Sequence, residues 1–326
     1  MKSELNLSKY LKIRSKTLLT TYSLIFSGKF MNRSLKFVSV SLLTALITAA
    51  TVMPSFAADP FRSQNARAIG SETQKAFELM FKDGNYTAAV KQLDLAVRTE
   101  ANEPLLFALR ASTFYAREDY LGMRVAGQRV RANAEALKGK DNLRAYIYIA
   151  ASDLIEAGYI VKTEGVSSAP KALPLVQSVF DNIQKAKDIS PNDPELNLIK
   201  GYIDMLIASV LPLSDLETAL ESLKQYAAPD YLKWRGIALA YRDAQKPELA
   251  LDAVNKALAS APNNPELHYL KGQVLWMQGG SNIPTAKNQF ELALSKSKQL
   301  NPSLLEEIRG QCRNISNGVA CPEQTK

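Results

Sequence analysis

The feature that most constrains this chain is a recurrence, at an interval near 34 residues, of small and aromatic residues inside helix-forming sequence. The clearest unit runs from Tyr231 to Asn264 and carries Trp234, Ile237, Ala238, Tyr241, Ala250, Ala257, Leu258 and Pro262. A second begins with the turn Gly84, Asn85, Tyr86 and continues through Ala89, Leu93 and Ala96; moving on by 34 gives Glu118, Tyr120, Met123, Gly127 and Val130. Further units follow at 194–228, with Gly201, Ala219 and Leu223, and at 265–300, with Gly272, Trp276, Ala286, Phe290 and Ala293. Such a unit cannot bury its apolar stripe alone, so copies must stack, and a stack of helix pairs is a solenoid.

Turn chemistry agrees. Pro191-Asn-Asp-Pro194, Ala227-Ala-Pro-Asp230, Pro262-Asn-Asn-Pro265 and Asn301-Pro302 each follow a helical apolar pattern, and each reads as a loop that starts the next helix. Strand-like alternation does not persist between them. Two units carry extra residues between their helices, around Leu211-Pro-Leu-Ser214 and Gly279 to Pro284. The stretch between the second and fourth units is atypical, with a helix near Asn142–Gly158, another near Pro170–Ile189, and a connection from Tyr159 to Ala169 longer than a tight turn.

These motif positions resemble the tetratricopeptide (TPR) family. The resemblance implies an all-α, right-handed solenoid of five to six helix-turn-helix pairs over residues 70–300, with Ala238 and Ala250 letting paired helices approach and Ala257 making room for the next repeat. It also implies a concave groove lined by first helices. Transferred by phase, its wall comprises Leu198, Tyr202, Met205 and Leu206; then Arg235, Leu239, Arg242 and Asp243; then Tyr269, Gln273, Trp276 and Met277. Aromatic and Met side chains beside two Arg suit a peptide with apolar anchors and an acidic group. Gln74 and Glu78 stand where relatives that grip acidic chaperone tails use Lys and Asn, so that mode is not expected here. With Asn65-Ala-Arg-Ala-Ile-Gly70 leading into Ala76-Phe77, the whole chain resembles an exported TPR-type protein of cyanobacteria, which implies periplasm or thylakoid lumen.

Charge points to the same compartment class. The chain holds 40 Lys plus Arg and 32 Asp plus Glu, but residues 1–57 contain eight of the bases and one acid, leaving 32 bases and 31 acids. A balanced body offers no footprint for a phosphate backbone, so nucleic acid is not an expected partner. The basic excess instead leads a targeting segment: Arg33 and Lys36 precede the uncharged run Phe37–Val52, and Ser55-Phe56-Ala57 is a small-x-small cleavage site. The expectation is a signal peptide over 31–57, a short segment over 58–69, and residues 1–30 as an upstream extension if Met31 is the true start. An uncleaved anchor is the alternative, although the core is short for a hydrocarbon layer of ~30 Å. No membrane insertion is expected after cleavage.

Cys312 and Cys321, the only cysteines, lie in the tail 301–326. An oxidising compartment favours a disulfide, worth ~2–3 kcal/mol on the chain-entropy model, over a metal site, because His268 is the only histidine. That lone histidine also excludes His-Glu-x-x-His and two-histidine iron sites, and no phosphate loop, Gly-x-Ser-x-Gly elbow or dinucleotide fingerprint is present. His268 sits at an apolar first-helix position and reads as packing. The expectation is a non-enzymatic scaffold that needs no cofactor and binds a protein or peptide, the alternative being an assembly component acting by self-association at a membrane surface.

Overall fold

The computed structural model describes residues 59–210, 216–316 and 321; the targeting segment and the Leu211–Ser214 insertion lie outside them. The described residues form thirteen α-helices: α1 Ser71–Phe81, α2 Tyr86–Thr99, α3 Pro104–Tyr115, α4 Tyr120–Glu135, α5 Asn142–Glu164, α6 Ala169–Ile189, α7 Pro194–Val210, α8 Leu216–Tyr226, α9 Asp230–Asp243, α10 Pro247–Ser260, α11 Pro265–Gln278, α12 Ile283–Leu294 and α13 Pro302–Ile315. Consecutive helices pack on one another, giving six pairs and a final single helix, an all-α solenoid.

Local chemistry sets the boundaries. Asn85, Asp119, Asp141, Asp193, Asn264 and Asn301 each cap a helix by accepting a backbone N–H from its first turn, and Pro194, Pro265 and Pro302 occupy first helical positions. Each cap contributes about 1 kcal/mol. The small motif residues sit where helices approach most closely: Ala89, Ala96, Ala238, Ala250, Ala257, Ala286 and Ala293 are fully buried, and a Cβ on Gly272 would stand 2.6 Å from the Phe290 ring.

One expectation is corrected. The long connection after α5 does not exist, because α5 runs on to Glu164 and only Gly165–Ser168 join it to α6. Its extra turns have work to do: Ile155 packs on Gly127, Glu156 pairs with Arg124 at 2.8 Å, and the Arg124 guanidinium lies 4.6 Å from the Tyr159 ring centroid. Gly165, with φ of +82°, ends the helix. The tail 301–326 carries a further helix, α13. Leu304, Ile308 and Cys312 line the buried face of α13, which packs as the first helix of an unfinished seventh pair.

The solenoid also closes on itself. The α1–α2 turn lies against the N-terminal ends of α9 and α11, nearly 180 residues away: the Asn264 carboxamide donates to the Phe81 carbonyl at 2.9 Å, and the buried Tyr86 hydroxyl donates to Glu266. Thr87 reaches the Lys298 carbonyl at 3.1 Å, in the short turn Ser297–Gln299 after α12.

Residues 59–70 form a strap across the other side. Arg62, 8% exposed, pairs with Asp59 at 2.9 Å, Asp193 at 2.6 Å and Glu195 at 3.1 Å, while Arg67 reaches Asp141 and Asp193. Arg144 completes the hub with Glu103 at 2.6 Å and Glu195 at 3.4 Å, and Tyr148 donates to Glu195 at 2.6 Å. Five carboxylates thus face three guanidiniums, a formal excess of two negative charges. The N-termini of α3, α5 and α7 converge at this point, with Glu103, Asp141 and Asp193 as their caps, and supply roughly half a positive charge each.

Candidate functional site

The first helices of the fifth and sixth pairs, α9 and α11, present different chemistry at their two ends. At the N-terminal ends Arg235 and Glu266 form a buried ion pair at 2.6 Å. Burial raises the Glu266 carboxyl above its usual range, and the Arg235 charge only partly offsets that. The neighbouring Tyr202 hydroxyl is pushed up to about 12, again by burial, and donates to the Leu232 carbonyl at 2.9 Å. Tyr86 arrives from the first pair to close the cluster.

At the C-terminal ends the wall is open. A cavity of about 370 Å³ is lined by Arg242, Asp243 and Gln245 from α9 and its turn, Gln273, Trp276 and Met277 from α11, and Gln311 from α13. A ladder of polar side chains crosses it. Arg242 donates to the Gln273 carboxamide oxygen at 2.7 Å, and Gln273 in turn donates to Gln311 at 3.2 Å. Arg242 also pairs with Asp243 at 2.7 Å, so the cavity carries no formal excess charge. Trp276 is held edge-on by Phe290, with centroids 6.2 Å apart, and Met277 is exposed beside it.

The expected groove residues therefore part company. Arg242, Gln273 and Trp276 meet at the cavity. Leu198, Tyr202, Met205, Arg235 and Tyr269 are not among the residues that line it. Leu198 is core, Tyr202 and Met205 lie over Gly236 of α9, Arg235 is paired, and the buried Tyr269 donates to Glu307 of α13 at 2.8 Å. Neighbouring first helices, the first pair and α13 pack against these side chains. Both Arg carry a counter-charge: Arg235 pairs with Glu266 and Arg242 with Asp243. Leu239 is also core, and the side chain of Leu206 lies outside the described residues.

Gln311 and Gln245 are the lining residues that the motif could not supply. Gln311 comes from α13, whose apolar residues Leu304, Ile308 and Cys312 recur at helical spacing and were the available signal. Cys312 is bonded to Cys321, with Cα atoms 6.0 Å apart, which ties the end of that helix. His268 holds Gln289 and the Pro262 carbonyl, each at 2.9 Å, so both ring nitrogens are engaged in joining α11 to its neighbours. Among the described residues no group of three or more His, Cys, Asp or Glu is placed to hold a metal ion, and no helix is long and apolar enough to cross a membrane.

No family model matches the chain, and no curated protein matches it. Among solved structures it is similar to a chain of the crystal structure of the APC/C hetero-tetramer Cut9-Hcn1, at 15% identity and a TM-score of 0.35. The alignment covers 74% of this chain and 48% of that one, so this chain spans about half the length of that neighbour.

Proposed function

We propose that this protein is a non-enzymatic TPR-type scaffold of an exported compartment, the periplasm, which holds a segment of a partner protein in the cavity between the C-terminal ends of α9, α11 and α13. One observation carries the reading: the cavity combines an apolar edge, Trp276 and Met277, with three carboxamides and a self-neutralised Arg242. A carboxamide offers one donor group and one acceptor, as a peptide bond does, so a ladder of them suits a main chain in extended form. Trp and Met suit an uncharged side chain beside it. The preferred segment is thus apolar and uncharged rather than acidic.

A photoreactive amino acid in place of Met277 tests this in intact cells. The expected result is one dominant crosslinked envelope protein, lost when Trp276→Ala and Gln273→Ala are combined. A crosslinking pattern that those substitutions leave unchanged would sink the assignment. N-terminal sequencing of the mature protein, expected to begin at Ala58, tests the compartment separately.

A further inference from the structure

Three turns in this chain occupy the same phase of the repeat, and their leading residues share a left-handed backbone: Gly84 at φ +61°, Glu118 at +59° and Gln245 at +59°. Two of the three tolerate a side chain there, so backbone conformation alone does not demand glycine at the first. What distinguishes Gly84 is its surroundings. A Cβ on it would lie 2.7 Å from Pro265 Cδ and 2.9 Å from Asn264 Oδ1, at the start of α11. Glycine is required at this turn because the sixth pair sits on it.

The rest of the contact is equally specific. Asn264 caps α11 with its oxygen, accepting from Glu266 N at 2.9 Å, and uses its nitrogen to hold the Phe81 carbonyl across the gap. Glu266 stands in the sequence Asn-Pro-Glu-Leu, the counterpart of Asp193-Pro-Glu-Leu196 in the fourth pair. Both glutamates are buried and each takes an Arg and a Tyr: Glu195 holds Arg144 and Tyr148, besides Arg62 of the strap, and Glu266 holds Arg235 and Tyr86. Arg144 and Tyr148 both come from the pair that precedes Glu195. At Glu266 the tyrosine comes from the first pair, so the joint that elsewhere links successive pairs here links the two ends of the coil.

Solenoids change shape by small rotations between pairs, each keeping its own core. We propose that the joint of Gly84 and Tyr86 with Asn264, Pro265 and Glu266 is a latch. It holds the solenoid as a closed coil, and breaking it opens the coil without unfolding any pair, baring the inward ends of α9 and α11 where Tyr202, Arg235 and Glu266 are now covered.

Small-angle scattering on the chain from Ala58 tests the latch. Gly84→Asn keeps a residue that tolerates the left-handed turn while placing a wedge against Pro265, and Tyr86→Phe removes the hydroxyl that crosses the joint. The wild-type radius of gyration should lie close to the ~18 Å of a compact chain of this length. Each variant should raise it by several ångströms with the helical circular dichroism signal unchanged, and the control Glu118→Asn, at the same phase of a turn with no such partner, should not. Unchanged dimensions in Gly84→Asn, expansion accompanied by loss of helicity, or equal expansion in the control would each overturn the proposal.

Discussion

The two ends of α9 and α11 belong to the same helices, yet one end is sealed and the other open. At the N-terminal ends Arg235 and Glu266 are buried against each other, and Tyr86 of the first pair lies over them. At the C-terminal ends α13 covers Tyr269 and leaves a cavity beyond it. The difference is one of geometry rather than composition. Both ends carry an Arg, but Arg235 is fixed by a glutamate across a helix pair, whereas Arg242 is neutralised by Asp243, the next residue in its own helix. A sealed charge pair ties the coil together, and a self-neutralised one leaves a surface that can accept an uncharged guest.

The largest effect is expected in the hub where the N-terminal ends of α3, α5 and α7 meet the strap. Arg144→Met removes the guanidinium shared by Glu103 and Glu195 and leaves both carboxylates buried. The expected cost is about 3–5 kcal/mol, read as a lowered denaturation midpoint.

Acid should loosen the same hub by a smaller amount. Burial works to raise Asp141, but the hydrogen bonds from Arg67 and from the Arg144 backbone, with the charges of both, hold it below the usual range. A carboxylate depressed in the folded state contributes stability above its unfolded value, lost as pH falls through its folded value. Glu103 and Glu266 act oppositely, since burial raises both and their contribution is lost as pH rises. Acidification below about pH 4 should therefore weaken the hold of Arg67 on Asp141. Asp141→Asn should flatten that limb of the stability-against-pH curve while leaving the cavity residues as protected as before.

The open end should respond least. Gln273→Ala removes two side-chain hydrogen bonds from a half-buried position and should lower stability by about 1 kcal/mol while abolishing capture at the cavity. Because Arg242 is already paired, capture should change little between low and high salt; a steep loss with salt would instead indicate an acidic guest.

How far these features were legible follows from the distance over which each is decided. The caps at Asn85, Asp193 and Asn264 and the close approaches at Ala238 and Gly272 depend on residues within one pair, and the repeat motif states them directly. The length of α5 depended on whether Tyr159 and Glu156 would find Arg124 on the neighbouring helix, which a connection-length argument does not contain. Closure was the least readable. It sums small rotations over five pairs and is decided between Tyr86 and Glu266, 180 positions apart. Its trace in the sequence is the shared Pro-Glu-Leu of the fourth and sixth pairs and the glycine at position 84, and neither is interpretable until the partner across the coil is known. The same holds for the cavity: phase located Arg242, Gln273 and Trp276 on the inner face, and only the packing of the first pair and α13 separates them from Arg235 and Tyr269.

The most direct test of a coil sealed at one end and open at the other is hydroxyl-radical footprinting of the wild-type protein with mass-spectrometric readout. Tyr226, 39% exposed, serves as an internal standard. Met277 and Trp276 should be oxidised readily, while Tyr86, Tyr148 and Tyr269 should be protected well below that standard. Oxidation of Tyr86 and Tyr269 at the rate of Tyr226, with Met277 no faster than they are, would contradict the account.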